Sequence, residues 1–531
     1  MCLSFVLFKM CILTLLWSCS GTGNKIAEVP EKPNIILILA DDIGYGDFKS
    51  YNPDSKLSLP HIELLAEKGI TFTDAHSPSC VCAPTRYGVM TGNYPFRGNR
   101  ILGTWGFSQK SQVLLDQQTI GQLMKNAGYN TAMFGKFHLG GEFYSRENPE
   151  EFLLGETDFQ KLDFTRRFRM GPLDMGFDYS WILPTGIQFQ PFAFFENDKL
   201  IGDTSELKIL TTDVTHGFRP GFGMPYWDPY KVGPIMTRKA IDFMKNHWEE
   251  DKNSDRPFFI YYCSQAIHMP ICPAESIEGI PVQGVTFDRV GDFIYELDVT
   301  LGLFMDELEK AGELDHTLII LTSDNGAWPH RQLFEKGHNP NAPMAGWKGQ
   351  MWEGGHRVPF IAAWGIQSDE PIIPHGARCN QLIGLQDLYA TFAEITGQRM
   401  QEGHGLDSHG FLTALTGKEQ RNARRYLVIQ GRYNTINDFT KVEDLRYETI
   451  LGENNPVLIL RDKQWKLIVG GRKQRDIPTD IDGEILGLYN LETDPLEQHD
   501  LKDSPELKTR ISEMYDKYNE IVTSPRSTEV Y

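Results

Sequence analysis

Residues 34–42 have the sequence NIILILADD, an unbroken apolar run that ends in two aspartates. Because apolar and polar residues do not alternate, this run predicts a strand that is covered on both faces. Similar runs occur at residues 130–134, 258–262, 317–321 and 357–364, and each lies next to a polar segment. The alternation of such runs with helical patterns predicts an α/β fold with a large, mostly parallel sheet flanked by helices.

The helical patterns lie near residues 119–127, 235–248, 294–308 and 385–396, where apolar residues recur three or four positions apart. After about residue 410 the pattern changes to short strand-like segments, such as 465–469, and a last helix is expected at 505–521. A chain of 531 residues is too long for one compact core. We therefore predict a catalytic domain at 33–410 and a smaller C-terminal α+β subdomain at 411–531.

The N-terminus has the features of an export signal. Residues 1–19 contain a short apolar run after Lys9 and end in small residues, which is typical of a secretory signal peptide rather than a membrane span. Residues 16–19, LWSC, resemble a bacterial lipobox, which would make Cys19 a lipidation site; a plain cleaved signal is the alternative. Residues 20–32 are expected to form a tether. We expect an exported protein, periplasmic or anchored to the outer membrane if bacterial, with no membrane attachment other than this possible lipid.

The composition excludes several classes of partner. The formal net charge is −19, which disfavours non-specific binding to nucleic acid or anionic lipid. An anionic substrate would therefore need positive charge that is concentrated in one pocket. The eight cysteines form no pair of CxxC units of the kind that binds zinc, and they are too sparse for a disulfide scaffold.

Acidic and amide side chains follow two of the expected strands. Asp41 and Asp42 end the first run, and Asp324 and Asn325 follow the run at 317–321. In parallel α/β sheets ligands bind beyond the carboxyl ends of the strands, so these oxygen-bearing side chains are expected to converge. Such a set suits a hard cation, Ca²⁺ or Mg²⁺, rather than zinc.

The segment CAPTR at residues 82–86, followed by VMTG at 89–92, is the sharpest motif in the chain. Pro84 suits the first turn of a helix, which would place Cys82 at a helix N-terminus where negative charge is favoured. The segment resembles the C-x-P-S/T-R signature of the type I, formylglycine-dependent sulfatase family of the alkaline phosphatase superfamily. Thr85 is the less usual residue at its position, and Cys80 replaces a small residue.

The resemblance covers nearly the whole chain after the tether. It includes KFHLG at 136–140, SDNG at 323–326, Lys348 with EGG at 353–355, and LYNL at 488–491. Both arylsulfatases and N-acetylgalactosamine-6-sulfatases are similar. The resemblance implies an alkaline-phosphatase-like fold and hydrolysis of sulfate esters with release of inorganic sulfate.

The resemblance also implies the cofactors. A separate maturation enzyme would oxidise Cys82 to formylglycine (3-oxoalanine), whose hydrated aldehyde, a geminal diol, would be the nucleophile. Calcium, rather than magnesium, would be held by Asp41, Asp42, Asp324, Asn325 and the modified residue 82. Arg86, Lys136 and Lys348 would bind the sulfate group, and His138 and His268 would transfer protons.

The substrate is expected to be a sulfated small molecule or glycan. Lys136, His268, His338 and Lys348 are predicted to bind it. The segment around His338 and Asn341 is predicted to form a polar rim. Residues 141–232 are rich in aromatic side chains and are expected to shape the pocket mouth, a second core layer being the alternative. These include Phe189, Phe192, Phe194 and Phe195.

Two other functions are compatible with parts of the pattern. A phosphoryl or phosphonate-ester hydrolase can share the metal-binding acids, but such enzymes usually hold two metals. A glycan-binding lipoprotein with an inactive sulfatase fold is the second. The single set of metal ligands and the complete cysteine signature favour the sulfatase.

Overall fold

The computed structural model describes residues 32–100, 104–155, 158–211, 220–250, 256–433, 456–470 and 483–528. The expected signal segment, Cys19 and nearly all of the tether lie outside these residues. Within the described residues, no helix combines the length and the apolar character needed to cross a bilayer.

The strands, in chain order, are β1 Asn34–Ala40, β2 Ile70–Phe72, β3 Ala75–His76, β4 Asn130–Lys136, β5 Phe143–Tyr144, β6 Phe152–Leu153, β7 Tyr179–Leu183, β8 Phe195–Glu196, β9 Lys199–Leu200, β10 Lys208–Leu210, β11 Gly221–Gly223, β12 Phe258–Cys263, β13 Ser276–Ile277, β14 Ile280–Pro281, β15 Thr317–Ser323, β16 Phe360–Trp364, β17 Ala377–Cys379, β18 Ile383–Gly384, β19 Leu427–Arg432, β20 Pro456–Arg461, β21 Trp465–Gly470 and β22 Ile485–Asn490. The helices are α1 Pro60–Glu67, α2 Cys82–Thr91, α3 Ile120–Asn126, α4 Val232–Glu250, α5 Arg289–Ala311, α6 Arg331–Glu335, α7 Glu353–His356, α8 Leu388–Thr396, α9 Leu412–Leu415 and α10 Lys508–Thr523.

Ten strands form the main sheet, in the order β17-β2-β16-β15-β1-β12-β4-β7-β8-β9. The central strands from β15 to β7 are parallel, which confirms the mostly parallel α/β sheet. Strand β16 runs antiparallel to β15. Its first residues therefore lie at the same edge of the sheet as the carboxyl ends of the parallel strands, which brings the preceding EGG segment to that edge.

Both faces of the sheet are covered, as the apolar run of β1 predicts. Ile35, Leu37 and Leu39 pack into a core that also contains residues of α2, α3 and α8. Ile36 and Ile38 face the opposite core, which is formed with α1, α4 and α5. The predicted helices at 119–127, 235–248, 294–308 and 385–396 correspond to α3, α4, α5 and α8.

A smaller four-stranded antiparallel sheet, β19-β20-β21-β22, forms with α10 a separate C-terminal unit. Residues Phe411–Leu415, which include α9, pack in the core of the main sheet. The smaller sheet begins at Leu427.

A buried network of charges joins this unit to the main sheet. The Glu353 carboxylate lies 3.3 Å from Arg461 and 3.4 Å from Lys466. Lys466 Nζ also lies 3.2 Å from His356 Nε2 and 2.6 Å from Glu497. Glu353 and His356 have the spacing of metal ligands, but the ammonium group of Lys466 lies beside them and supplies the positive charge. Each buried charge in the network therefore has an opposite partner, as buried ions require.

Candidate active site

Polar residues from three parallel strands meet at one edge of the main sheet. Asp41 and Asp42 follow β1, and Asp324 and Asn325 follow β15. Lys136 is the last residue of β4. The predicted convergence is observed, because ligand atoms of Asp41, Cys82 and Asp324 lie within 4.8 Å of one another.

Cys82 is the first residue of α2 and is 5% exposed. Val81 before it is extended, and Pro84 occupies the first turn, as the sequence predicts. The Cys82 Sγ atom lies 3.5 Å from His138 Nδ1. Cys80, two residues earlier, is packed in the core of the C-terminal sheet, and burial raises the pKa of its thiol to about 12. Cys82, rather than Cys80, therefore faces the cluster of polar groups.

Each of three buried cations in the site pairs with a carboxylate. Arg86 Nη2 donates to Asp324 at 2.6 Å, and Lys136 Nζ donates to Asp41 at 2.7 Å. Lys348 Nζ donates to Asp42 at 2.5 Å. Three cations thus face three carboxylates, so a bound divalent cation would give the site the net positive charge that an anionic substrate requires.

The acidic groups have the donor chemistry of a hard-cation site. Asp41 Oδ1 and Asn325 Oδ1 are buried oxygens without a hydrogen-bond partner in the described part of the chain. Such acceptors are costly unless a cation satisfies them. Burial, and then the neighbouring Asp41 charge, raise the pKa of Asp324 to about 7. Oxygen atoms of this kind fit calcium or magnesium.

The two histidines present different ring atoms to the site. His138 Nε2 donates to the carbonyl oxygen of Trp105 at 3.0 Å, which leaves Nδ1 as the acceptor that faces Cys82. His268 Nδ1 donates to the carbonyl oxygen of Met269 at 2.8 Å, and Nε2 makes no hydrogen bond within the described residues. Burial, and then Lys136, hold the pKa of His138 well below its usual range. Burial, and then Lys348, lower the pKa of His268 to about 4.

The backbone of the site contains strained positions and a close approach. Asp42 and His138 have φ angles of +67° and +56°, a region that residues with a side chain rarely adopt. Gly326 approaches the EGG segment so closely that a Cβ atom there would lie 1.7 Å from the Gly354 carbonyl oxygen. This contact requires glycine after Asn325 and joins the two motifs.

Two predicted rim residues are placed elsewhere by the structure. His338 is buried, its Nε2 bonds to Asp47 at 2.7 Å, and its Nδ1 accepts from the Lys56 amide. Asn341 is also buried and bonds to backbone groups of Ala327 and Gly346. The predicted role of His338 and Asn341 at an open rim is therefore corrected: their polar atoms stabilise loops.

The aromatic segment is mainly core. Phe192, Phe194 and Phe195 are buried in the two cores of the main sheet, whereas Phe189 is 50% exposed. The alternative of a second core layer is thus correct for three of these four side chains. Apolar residues in a sequence do not distinguish a pocket mouth from a core.

Sequence reasoning missed two residues near the site. Trp105 bonds to His138 in both directions, through its carbonyl oxygen and its indole nitrogen. His330 is buried, and the charges of Asp42 and Lys348 act on its ring. Neither residue belongs to a motif, so no local signal identifies it.

The fold and site together define a hydrolase of the alkaline phosphatase superfamily. The Sulfatase family model matches residues 33–398, so the chain belongs to that family and is a sulfuric ester hydrolase. An N-acetylgalactosamine-6-O-sulfatase of Bacteroides thetaiotaomicron is 29% identical, over 94% of this chain and 96% of that protein.

Solved structures agree with this assignment. A structure from work on glycosaminoglycan metabolism by Bacteroides thetaiotaomicron is 26% identical with a TM-score of 0.74, over 93% of this chain and 100% of that one. A phosphonate monoester hydrolase of Agrobacterium radiobacter has the same fold, with a TM-score of 0.56, 15% identity and coverage of 93% and 96%. The fold alone therefore does not separate sulfate esters from phosphonate esters.

Proposed function

We propose that the protein removes sulfate from sulfated carbohydrates, using a formylglycine derived from Cys82 and a bound calcium ion. The observation that carries the proposal is the position of Cys82 at the N-terminus of α2, 3.5 Å from His138 and beside the acidic ligands. A maturation enzyme that oxidises the cysteine of CAPTR would be its partner during biosynthesis. We further propose that the protein is exported, with Cys19 as its lipid anchor.

Asp41, Asp42, Asp324 and Asn325 would hold the calcium ion together with residue 82. Formylglycine would supply a hydrated aldehyde as the nucleophile, and calcium would supply positive charge that favours its ionised form. The unpartnered oxygens of Asp41 and Asn325 support this ligand set.

The three cations would bind the sulfate group of the substrate. Arg86 and Lys136 lie on the Asp41 and Asp324 side of the site, and Lys348 lies on the Asp42 side. Because all three are already ordered by carboxylates, they need little reorganisation when negative charge develops on the sulfuryl oxygens.

The histidines would carry the protons. His138 Nδ1 points at residue 82 and is the acceptor atom of its ring, so it would take a proton from the oxygen at that residue. His268 Nε2, which has no hydrogen-bond partner among the described residues, would carry a proton and donate it to the departing alcohol oxygen. An anionic substrate between His268 and Lys348 would raise the low pKa of His268, because it offsets the lysine charge.

The substrate class is proposed from the relatives and the expected location. The Bacteroides relative is an N-acetylgalactosamine-6-O-sulfatase that aligns over nearly the whole chain. An exported enzyme meets extracellular polymers, so a sulfated hexosamine at a chain end, with 6-sulfated sugars as the first candidates, is the proposed substrate.

The test is release of inorganic sulfate from a sulfated sugar by enzyme that was produced together with a maturation enzyme. Cys82→Ala should abolish release, and Cys80→Ala should retain it, since Cys80 lies in the core. Mass spectrometry of the peptide containing residue 82 should show formylglycine. Full activity of Cys82→Ala, or faster hydrolysis of the matched phosphate ester, would contradict the proposal.

A further inference from the structure

Three adjoining cavities form a groove between the main sheet and the C-terminal unit, away from Cys82. Their volumes are about 570, 490 and 460 Å³, and Asn380 contributes to the lining of all three. We call this feature the Asn380 groove. The catalytic residues described above do not line it.

The largest cavity is basic, although the protein is strongly acidic. Its lining contains five cationic residues and two carboxylates. Asp462 is engaged by Arg510 at 2.5 Å, and Arg424 is engaged by Asp387 at 2.5 Å. Within the described ranges, Lys418, Lys463 and Arg425 have no carboxylate within 4.0 Å. The groove thus retains positive charge in a chain of net charge −19.

The same cavity contains polar atoms that the protein leaves unsatisfied. Gln381 Nε2, Gln420 Oε1 and Arg510 Nε have no hydrogen-bond partner among the described residues. Two of these atoms are buried donors, and they belong to residues that line the cavity together with Lys418 and Lys463. Donors and cations together suit an anionic group such as a sulfate or a carboxylate.

The groove opens at the same edge of the sheet as the active site. Strand β17 ends at Cys379, which pairs with Phe72; Phe72 pairs with Phe360, and Phe360 pairs with Thr322. Strand β17 runs in the direction of β15, because β16 lies antiparallel to both β15 and β2. Asn380 is therefore at the level of Ser323, three strand spacings away, or roughly 14 Å across the sheet.

We propose that the Asn380 groove binds an anionic group of the same glycan chain whose terminal sulfate enters the active site. This inference rests on the proposed glycan substrate and adds a second binding site for it. Asp74 and Arg357, which line the neighbouring cavity, lie on the segments that follow β2 and precede β16, between the groove and the active site. A substrate long enough to span this distance would reach both sites, and a short substrate would reach one.

The test compares a sulfated disaccharide with a sulfated octasaccharide of the same repeat. The double variant Lys418→Glu/Lys463→Glu should raise KM for the octasaccharide about tenfold, since two favourable charge contacts become repulsive. It should leave kcat and the disaccharide KM unchanged. The matched control is Lys199→Glu/Lys208→Glu, two exposed lysines on β9 and β10, which should change neither KM. Equal KM values for the octasaccharide in all three proteins would overturn the proposal.

A binding measurement separates this inference from the proposed reaction. The full chain carrying Cys82→Ala should bind the octasaccharide with an affinity that falls with salt, and the added lysine substitutions should weaken that binding. Lys418→Gln/Lys463→Gln serves if the charge reversal impairs folding. If sulfated sugars are not hydrolysed but this binding is lost in the lysine variants, the proposed reaction is rejected and the proposed binding groove is supported. Unchanged binding rejects the groove whatever the activity.

Discussion

His138 and Trp105 hold each other through two hydrogen bonds. His138 Nε2 donates to the Trp105 carbonyl oxygen at 3.0 Å, and the Trp105 indole nitrogen donates to the His138 carbonyl oxygen at 2.8 Å. The first bond fixes which ring nitrogen faces residue 82, and the second holds the strained backbone of His138. Trp105 is therefore a positioning residue for the proposed proton acceptor.

Trp105→Phe tests this role. The substitution keeps the carbonyl oxygen and the ring packing but removes the indole donor, so kcat should fall about tenfold while KM changes little. The pH dependence of kcat should also shift, because the backbone of His138 loses a hydrogen bond and its ring can then move relative to residue 82. Trp227→Phe is the control: Trp227 is also buried, and its indole nitrogen has no partner within the described residues. Similar losses in both variants would show that packing alone matters.

Asp324→Asn tests the metal site. Asp324 is one of few anionic groups near the expected ion and also pairs with buried Arg86. The variant should lose bound calcium and lower activity by roughly a hundredfold or more. Calcium content by elemental analysis and sulfate release are the measurements. Asp198→Asn replaces a buried carboxyl that bonds to the Leu173 amide and the Ser180 hydroxyl, and it should retain both properties. Calcium bound normally by Asp324→Asn would remove this residue from the ligand set.

Glu296 makes stability depend on pH. Its carboxylate accepts from Gln265 Nε2 at 2.8 Å and from the Ala274 amide at 2.6 Å, so it joins both ends of the loop that contains His268. Burial raises the pKa of Glu296 from 4.5 to about 8. Between about pH 4.5 and 8 the folded protein therefore keeps a proton on Glu296 that the unfolded chain has released. The free energy of unfolding is highest at the acidic end of this range and decreases as the pH rises towards 8.

Glu296→Gln should reduce that dependence. Between pH 5 and 8 the wild-type contribution falls by up to about 1.4 kcal/mol per pH unit, and the variant has no group to titrate there. Its Tm is expected to be lower at pH 5, because one buried hydrogen bond is lost, but to decline less steeply with pH. Calorimetry of both proteins across this range measures the slopes. Parallel slopes would show that Glu296 does not titrate in this window.

Features that depend on a short stretch of sequence can be predicted from the sequence, and features that depend on contacts between distant segments cannot. The convergence of the two acidic pairs and Lys136 follows from the sequence, because each lies at the carboxyl end of a strand of one parallel sheet. CAPTR lies in α2 and follows no strand of that sheet, so its place beside them depends on the family resemblance alone. The direction of β16 was not predicted, since an apolar run has the same pattern in either orientation. Polarity in a loop does not reveal its burial, so the sequence predicts a rim at His338 and Asn341 although both side chains are buried. Trp105 and Glu296 act only through contacts that folding creates.

Cys19→Ala tests the proposed anchor, a residue that lies outside the described part of the chain. Wild-type protein should sediment with the outer membrane of a bacterial host, and the variant should be released in soluble form, because one acylated cysteine carries the attachment. Fractionation followed by immunodetection measures the distribution. A variant that stays wholly with the membrane would leave the lipidated cysteine without an anchoring role.

The substrate is best tested with a panel that separates sugars from aryl groups. The panel contains 6-sulfated and 4-sulfated N-acetylhexosamines, the corresponding disaccharides and a small aryl sulfate, with kcat/KM as the measure. We expect the 6-sulfated sugars to exceed the aryl sulfate, because a sugar can form additional hydrogen bonds at the pocket mouth that an aryl ring cannot. His330→Ala is informative here. His330 is buried beside Lys348 and Asp42, and its Nε2 has no partner in the described part of the chain. If a sugar hydroxyl satisfies that nitrogen, the variant loses activity on sugars more than on the aryl sulfate. Inert sugar sulfates beside a rapidly hydrolysed aryl sulfate would instead identify an arylsulfatase without a glycan substrate.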